Sequence, residues 1–318
     1  MSLDLHSYLS QFDSDLDAFL LTRPSKHYKA YKIPKRKVGF RVIAQPTPKV
    51  KMLQRKLVKQ LSTILDVHDA AYGYRVGRGI KQNAEKHVDS EYLLKMDISN
   101  FFNSLSPNVF FDAIHSQNIR LSKQDREILR EICFWNRTKR STGKLVLSVG
   151  APSSPFITNV IMFSFDEKVS KYCEKIGVTY TRYADDLTFS SKEKNLLQKV
   201  REQIVRDLES LYSGVLVINE AKTIFSSKGN NRHVTGIVLT NNNRLSIGRR
   251  RKRYLSALVH KFKCNELDAL DSRMLQGWLS QARHIEPSFY ERLEVKYGKE
   301  ILKQISSFNI EVEDEPGT

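Results

Sequence analysis

Residues 178–190 read VTYTRYADDLTFS. Two runs rich in Thr, Tyr, Val and Phe, all suited to a pleated strand, meet at Asp185-Asp186, so the segment reads as a β-hairpin with two carboxylates at its turn. An Asp-Asp pair taken alone is most simply an exposed hairpin tip. A hairpin, however, needs further strands to be stable, and a candidate lies upstream in YLLKMDIS, residues 92–99. This short strand runs into the break Asn100-Phe101-Phe102-Asn103. Strand alternation puts Leu94, Met96 and Ile98 on one face and leaves Asp97 on the other with Leu93 and Lys95. Asp97 and Asp185 are 185 − 97 = 88 residues apart, so their meeting depends on both strands joining one sheet.

Around this nucleus, strands and helices alternate irregularly, which favours an α+β fold over a repeated βαβ one. The first 21 residues mix Leu and Phe with Asp at helical spacing and predict one amphipathic helix ending before Arg23-Pro24. From Tyr28 to Ile43, alternating runs flank the basic turn Lys35-Arg36-Lys37, a second hairpin closed by Pro46. Met52, Leu53, Leu57, Leu61, Ile64 and Leu65 recur near a 3.6 period with Lys51, Arg55, Lys56 and Lys59 between them, predicting a helix with a basic outer side. Ser153 or Ser154 can cap a helix with Pro155 in its first turn. After Leu245 the composition shifts, Arg249 to Arg253 opens a helix, and the remainder to about Ser307 reads as helical before an acidic end.

Charge narrows the function. Among the 318 residues, 52 basic against 35 acidic side chains give a net charge of +17, which suits a polyanionic partner, nucleic acid first. The three dispersed cysteines support neither a disulfide framework nor a paired-cysteine zinc site. The eight histidines form no HExxH or Cys/His cluster, and GYRVGRG (73–79) lacks the spacing of a dinucleotide loop. The acidic N-terminal stretch lacks secretory-signal character and no window approaches a membrane span, so a cytoplasmic protein without a membrane partner is expected. The chemistry most at home beside a basic channel is phosphoryl transfer, for which Asp97 and Asp185-Asp186 supply hard oxygen ligands.

Tyr183-Ala184-Asp185-Asp186 resembles the YxDD signature of reverse transcriptases. LLKMDISNFF (93–102) looks like that family's first carboxylate motif, VGAPSSP (149–155) like its glycine/serine-proline motif and VINEAKT (217–223) like its lysine motif, all in the family's order. The resemblance runs from about Tyr28 into the C-terminal helices. Within the family the chain is most similar to bacterial retron enzymes: Asn83 and His87 match an NAxxH motif, and Val234-Thr235-Gly236 a VTG motif. Taken separately, these two elements also read as a surface helix pair and a turn glycine.

The resemblance implies a right-hand polymerase: an N-terminal helical segment over 1–25, fingers and palm over 26–245, a helical thumb over 246–310 and an acidic tail over 311–318. It implies that Asp97, Asp185 and Asp186, helped by the Ile98 carbonyl, hold two Mg²⁺. Lys222 corresponds to the lysine that protonates the leaving group, with an exposed lysine after a strand as the other reading. Phe102 would bar the 2′-hydroxyl while Phe101 is core. Lys35 and Arg41 would clamp the triphosphate, Arg36 and Lys37 competing with Lys35. Gly150, with Ser154 and Pro155, would shape the nucleotide site, although Val149 stands where the family usually has Gln. Asn83, His87, Val234, Thr235 and Gly236 are assigned to RNA recognition. Arg249, Arg250, Arg251, Lys252 and Arg253 would grip a nucleic-acid backbone, or form a solvated helix face. The implied activity is copying a cognate noncoding RNA (msr/msd) into branched single-stranded DNA (msDNA), primed from a guanosine 2′-hydroxyl with dNTPs, in an anti-phage unit with a separate effector. Template removal would fall to cellular RNase H. The alternatives are another bacterial reverse transcriptase, of group II intron or diversity-generating type, and a non-catalytic RNA-binding scaffold.

Overall fold

The computed structural model describes residues 3–34 and 39–309. Contacts divide the chain into two units, one of Met1–Gly79 with Ser90–Phe225 and the other of Ile80–Asp89 with Ser226–Thr318. This division differs from a boundary near residue 245. The strands before Arg249 belong with the C-terminal helices, and so does a short segment from early in the chain.

The first unit is built on an antiparallel sheet in the order Thr179–Tyr183, Asp186–Ser191, Tyr92–Asp97, with the strand starting at Ile224 beyond. Asp186–Ser191 is the central strand, pairing Leu94 with Phe189 on one side and Tyr180 with Phe189 on the other. The sheet requirement raised by the hairpin is therefore met. Leu94, Met96, Leu187 and Phe189 point into the main core, each at most 1% exposed. They pack with helices Pro107–Ser116, Ser154–Ile161, Phe163–Lys175 and Leu196–Tyr212 through Phe110, Ile157, Phe165 and Ile204, all fully buried. Each large apolar side chain so buried contributes roughly 1.5–3 kcal/mol. On the opposite face Leu93 is also covered, while Lys95 is half-buried.

The N-terminus forms two short helices, Leu5–Ser10 and Leu16–Leu21, where one was expected. Asp13 accepts the Asp15 N–H at 3.3 Å, and such a short polar side chain competes with helical hydrogen bonding. Tyr28–Pro34 and Phe40–Pro46 form the expected hairpin, in register from Tyr28 opposite Pro46 to Pro34 opposite Phe40. Its turn, including Lys35, lies outside the described residues. Most of the hairpin is exposed, and its base packs Tyr28 and Ala44 against Trp135 and Val146. The helix after Pro155 exists over Ser154–Ile161, but neither serine hydroxyl caps it: Ser153 occupies the N-cap in an α-helical conformation, which turns its oxygen away from the free N–H groups.

The second unit holds helices Arg249–Lys263, Ala269–Ile285, Pro287–Tyr297 and Lys299–Ser306. A three-stranded antiparallel sheet in it runs Leu245–Ser246, Ile237–Leu239, Arg232–Val234. Among the described residues no helix is long and apolar enough to cross a membrane.

Candidate active site

Tyr183 pairs with Asp186 across the hairpin end, so the loop is only Ala184 and Asp185, and Asp186 already belongs to the strand rather than the turn. Ala184 has φ +56°, a left-handed value that hairpin loops of this length usually give to glycine. Across the sheet Asp97 stands directly opposite Asp186. The Ile98 N–H donates to the Asp185 carbonyl at 3.0 Å, locking the loop to the neighbouring strand. Three carboxylates from segments 88 residues apart thus gather at one sheet end.

Like charges in directly opposed strand positions repel. Burial, then the Asp185 and Asp97 charges, push the Asp186 carboxyl up to about 6, against the pull of Lys95 and Lys222. Burial and Asp97 raise Asp185 as well, while Lys222 and Arg41 hold it down. Asp186 nonetheless keeps an exposed surface, through which water screens part of this repulsion. On the far side of Asp97, the Asn219 N–H donates to its backbone carbonyl at 2.7 Å, and the turn Glu220–Lys222 returns the Lys222 ammonium to within 2.8 Å of Asp97 Oδ2.

This donor set fits a hard divalent cation, since the three acids are all oxygen donors and their mutual repulsion is relieved by positive charge. Among the described residues no three His, Cys, Asp or Glu side chains already stand at metal-cage spacing; Lys222 is the cation that Asp97 engages. The apolar side chain of Ile98 is part of the main core, so its carbonyl is the group that could take a ligand role.

Beside the acids lies a cleft of about 360 Å³ lined by Tyr74, Phe102, Val149, Gly150 and Ser154 among others. Phe101 is 2% exposed and belongs to the core, whereas Phe102 is half-buried and faces the cleft. Gly150 has φ +113°, and a Cβ there would sit 3.0 Å from Ile43 Cγ2 and 3.3 Å from the Ala44 carbonyl, so the chain passes the hairpin base where a side chain would collide. The Val149 carbonyl accepts the Ala44 N–H at 3.0 Å. Arg41 is exposed and close enough to act on Asp185. Sequence reasoning missed several lining residues, Lys51, Arg55 and Tyr74 among them. Lys51 and Arg55 stand one helical turn apart, a spacing that could have pointed to a shared face. Tyr74 comes from the discounted GYRVGRG loop, and its ring lies 6.4 Å from that of Tyr183.

In the second unit, Asn83 and His87 are fully buried, so they are not an exposed helix pair, and neither side chain can touch RNA without rearrangement. Val234 is also buried. Thr235 and Gly236 both have positive φ, +47° and +83°, making a two-residue turn of the primed kind between Arg232–Val234 and Ile237–Leu239. The Thr235 hydroxyl donates to the Ile80 carbonyl at 3.2 Å, joining the turn to the helix that carries Asn83. The two motifs, 234 − 83 = 151 residues apart in sequence, are therefore one structural feature. Arg249, Arg250 and Arg253 are exposed along a cleft of about 1330 Å³ that Tyr254 and Trp278 also line. Lys252 is not free in this way, because Glu286 pairs with it.

The family profile described as "Reverse transcriptase (RNA-dependent DNA polymerase)" matches residues 33–246. The chain is 48% identical over 309 residues to the Retron Ec83 reverse transcriptase of Escherichia coli, spanning 97% of this chain and 99% of that protein. It is 30% identical over 286 residues to the Retron Ec86 reverse transcriptase of Escherichia coli, covering 87% and 84%. Among solved structures, Candida albicans telomerase in complex with a telomeric RNA fragment superposes with a TM-score of 0.53 at 13% identity, over 96% of this chain and 59% of that one, a likeness of fold.

Proposed function

The chain belongs to the reverse transcriptase family, among the retron enzymes of bacteria, and from that premise we propose that it copies a cognate noncoding RNA into branched single-stranded DNA, starting from a guanosine 2′-hydroxyl. It is an RNA-directed DNA polymerase. The observation that carries the residue assignment is Asp97 directly opposite Asp186, with Asp185 beside them in the loop.

In this reading Asp97, Asp185 and Asp186 hold two divalent cations, Mg²⁺ in the cell, which would lower the pKa of the attacking hydroxyl and neutralise the triphosphate. The hydroxyl oxygen attacks the α-phosphorus in line as its proton passes to water, and the bond to pyrophosphate breaks. Lys222, beside Asp97, supplies the proton that the departing pyrophosphate takes up. Arg41 offers its guanidinium to the triphosphate oxygens, a role that Lys35 shares. Phe102 fills the space a 2′-hydroxyl would need, and Gly150, with no side chain to collide with Ile43 and Ala44, lets the segment that lines the cleft pack on the hairpin base.

Recognition of the RNA falls to the second unit. Thr235 and Gly236 present a rigid turn, Asn83 and His87 support it from within, and Arg249, Arg250, Arg251 and Arg253 take the phosphates, with Lys252 bracing the helix through Glu286. The RNA template is the principal partner. A separate effector in an anti-phage unit, and a cellular RNase H that removes the template, complete the proposed setting.

The test is DNA synthesis by purified protein with its RNA, dNTPs and Mg²⁺. The parent is expected to extend DNA covalently joined to RNA, and an Asp185→Ala, Asp186→Ala variant that binds RNA normally is expected to make none. Equal synthesis by the two proteins would remove the catalytic assignment.

A further inference from the structure

The polymerase assignment makes no use of one buried network behind the carboxylate loop. Arg182 and Asp166 are both fully buried. Arg182 Nε donates to Asp166 Oδ1 at 2.9 Å and Nη2 to Oδ2 at 2.6 Å, while the Tyr180 hydroxyl donates to Oδ1 at 2.7 Å. The remaining arm of the fork, Nη1, donates to Asn159 Oδ1 at 3.1 Å and to the Ala184 carbonyl at 3.2 Å. The Asn159 amide in turn donates to the Gly73 carbonyl at 3.0 Å. Gly73 lies against the same loop: a Cβ built on it would stand 2.8 Å from the Ala184 backbone nitrogen.

A buried ion pair is a poor stabiliser, because desolvation of both charges offsets most of their attraction and apolar residues of similar volume often serve as well. Its position is more telling than its energy. The loop it contacts is strained, with Ala184 at φ +56°, and such a conformation persists only where the surroundings hold it. Arg182 holds the loop carbonyl from below and Gly73 abuts the loop nitrogen, so the direction in which the next two residues present their carboxylates is set by both.

We propose that Arg182, fixed by Asp166 and Asn159, is the positioning residue of the catalytic loop, and that Gly73 is the matching wall. The inference rests on the assignment of Asp185 and Asp186 as metal-holding residues. Two variants test it. Arg182→Lys keeps the charge but loses the fork; Gly73→Ala leaves the ion pair intact and displaces the loop directly. Both are expected to lower kcat by about tenfold to a hundredfold, the loss typical of a misplacement near 1 Å, with KM for dNTP little changed. Both are also expected to weaken Mn²⁺ binding, read by electron paramagnetic resonance without turnover. Parental kcat and Mn²⁺ affinity in the folded variants, with only the melting temperature lowered, would overturn the proposal. If Arg182→Lys does not fold, Gly73→Ala decides alone. The Asp185→Ala, Asp186→Ala protein separates the two levels: if it retains synthesis, the carboxylate assignment fails, whereas a parental Gly73→Ala beside an inactive double variant refutes the positioning role alone.

Discussion

Single side chains carry the sharpest expectations. Phe101 and Phe102 are chemically the same and adjacent, with ring centroids 5.5 Å apart, yet one is core and the other faces the cleft. If Phe102 excludes the 2′-hydroxyl by collision, Phe102→Val raises the ratio of rNTP to dNTP incorporation about tenfold or more, measured as relative kcat/KM; an unchanged ratio removes the gate. His87 shows how burial alters chemistry. Desolvation, with a smaller contribution from Lys86, pushes its imidazole down to about 3, so the folded chain refuses a proton that the unfolded chain accepts near pH 6.5. The stability held by neutral His87 is thus complete above pH 6.5 and is lost as pH falls from there toward 3. The slope is at most about 1.4 kcal/mol per pH unit. Urea unfolding at pH 7 and pH 5 should show a smaller stability difference in His87→Gln than in the parent. The sequence marked Asn83 and His87 by their motif but not their burial, because an i, i+4 spacing carries no signal of burial, and the helix that holds Asn83 ends at Glu85, before His87.

Among the elements, helix Lys123–Cys133 shows local chemistry and tertiary anchoring in one residue. The Ser122 hydroxyl accepts the Asp125 N–H at 3.0 Å, and Asp125 Oδ2 accepts the Ser122 N–H at 3.1 Å, closing a reciprocal cap. The other Asp125 oxygen accepts the buried Leu5 N–H at 2.9 Å, which fastens the start of the first helix. Ser122→Ala is expected to cost about 1 kcal/mol. Asp125→Ala should cost more, because it also leaves a buried N–H without its acceptor. A denaturant midpoint series that ranks them otherwise would mean that the Leu5 contact contributes nothing. The two central strands were legible because their apolar residues alternate with period two. The break in the N-terminal helix was less so, because Asp13 and Asp15 also fit the polar face of a continuous helix.

For the whole molecule, the net charge of +17 is where salt dependence enters. If Arg249, Arg250 and Arg253 contact phosphates, each replacement by Gln reduces the slope of log affinity against log salt by roughly 0.9 on a duplex and 0.7 on a single strand. Lys252→Gln, already paired with Glu286, should leave the slope nearly unchanged and lower stability instead. Titration of labelled RNA at several salt concentrations distinguishes the two. Motif order, strand alternation and net charge, all carried by residue types at short spacing, sufficed for the family and the fold class and singled out the three aspartates as candidates. Tertiary structure alone decided that Asp97 faces Asp186, that Lys222 returns to Asp97, that Asn83 and the Val234-Thr235-Gly236 turn form one feature, and that Arg182 lies beneath the carboxylate loop. The reason is physical: spacing along a chain sets which face a side chain takes, while contacts between segments dozens of residues apart depend on sheet register and on which buried donors find acceptors.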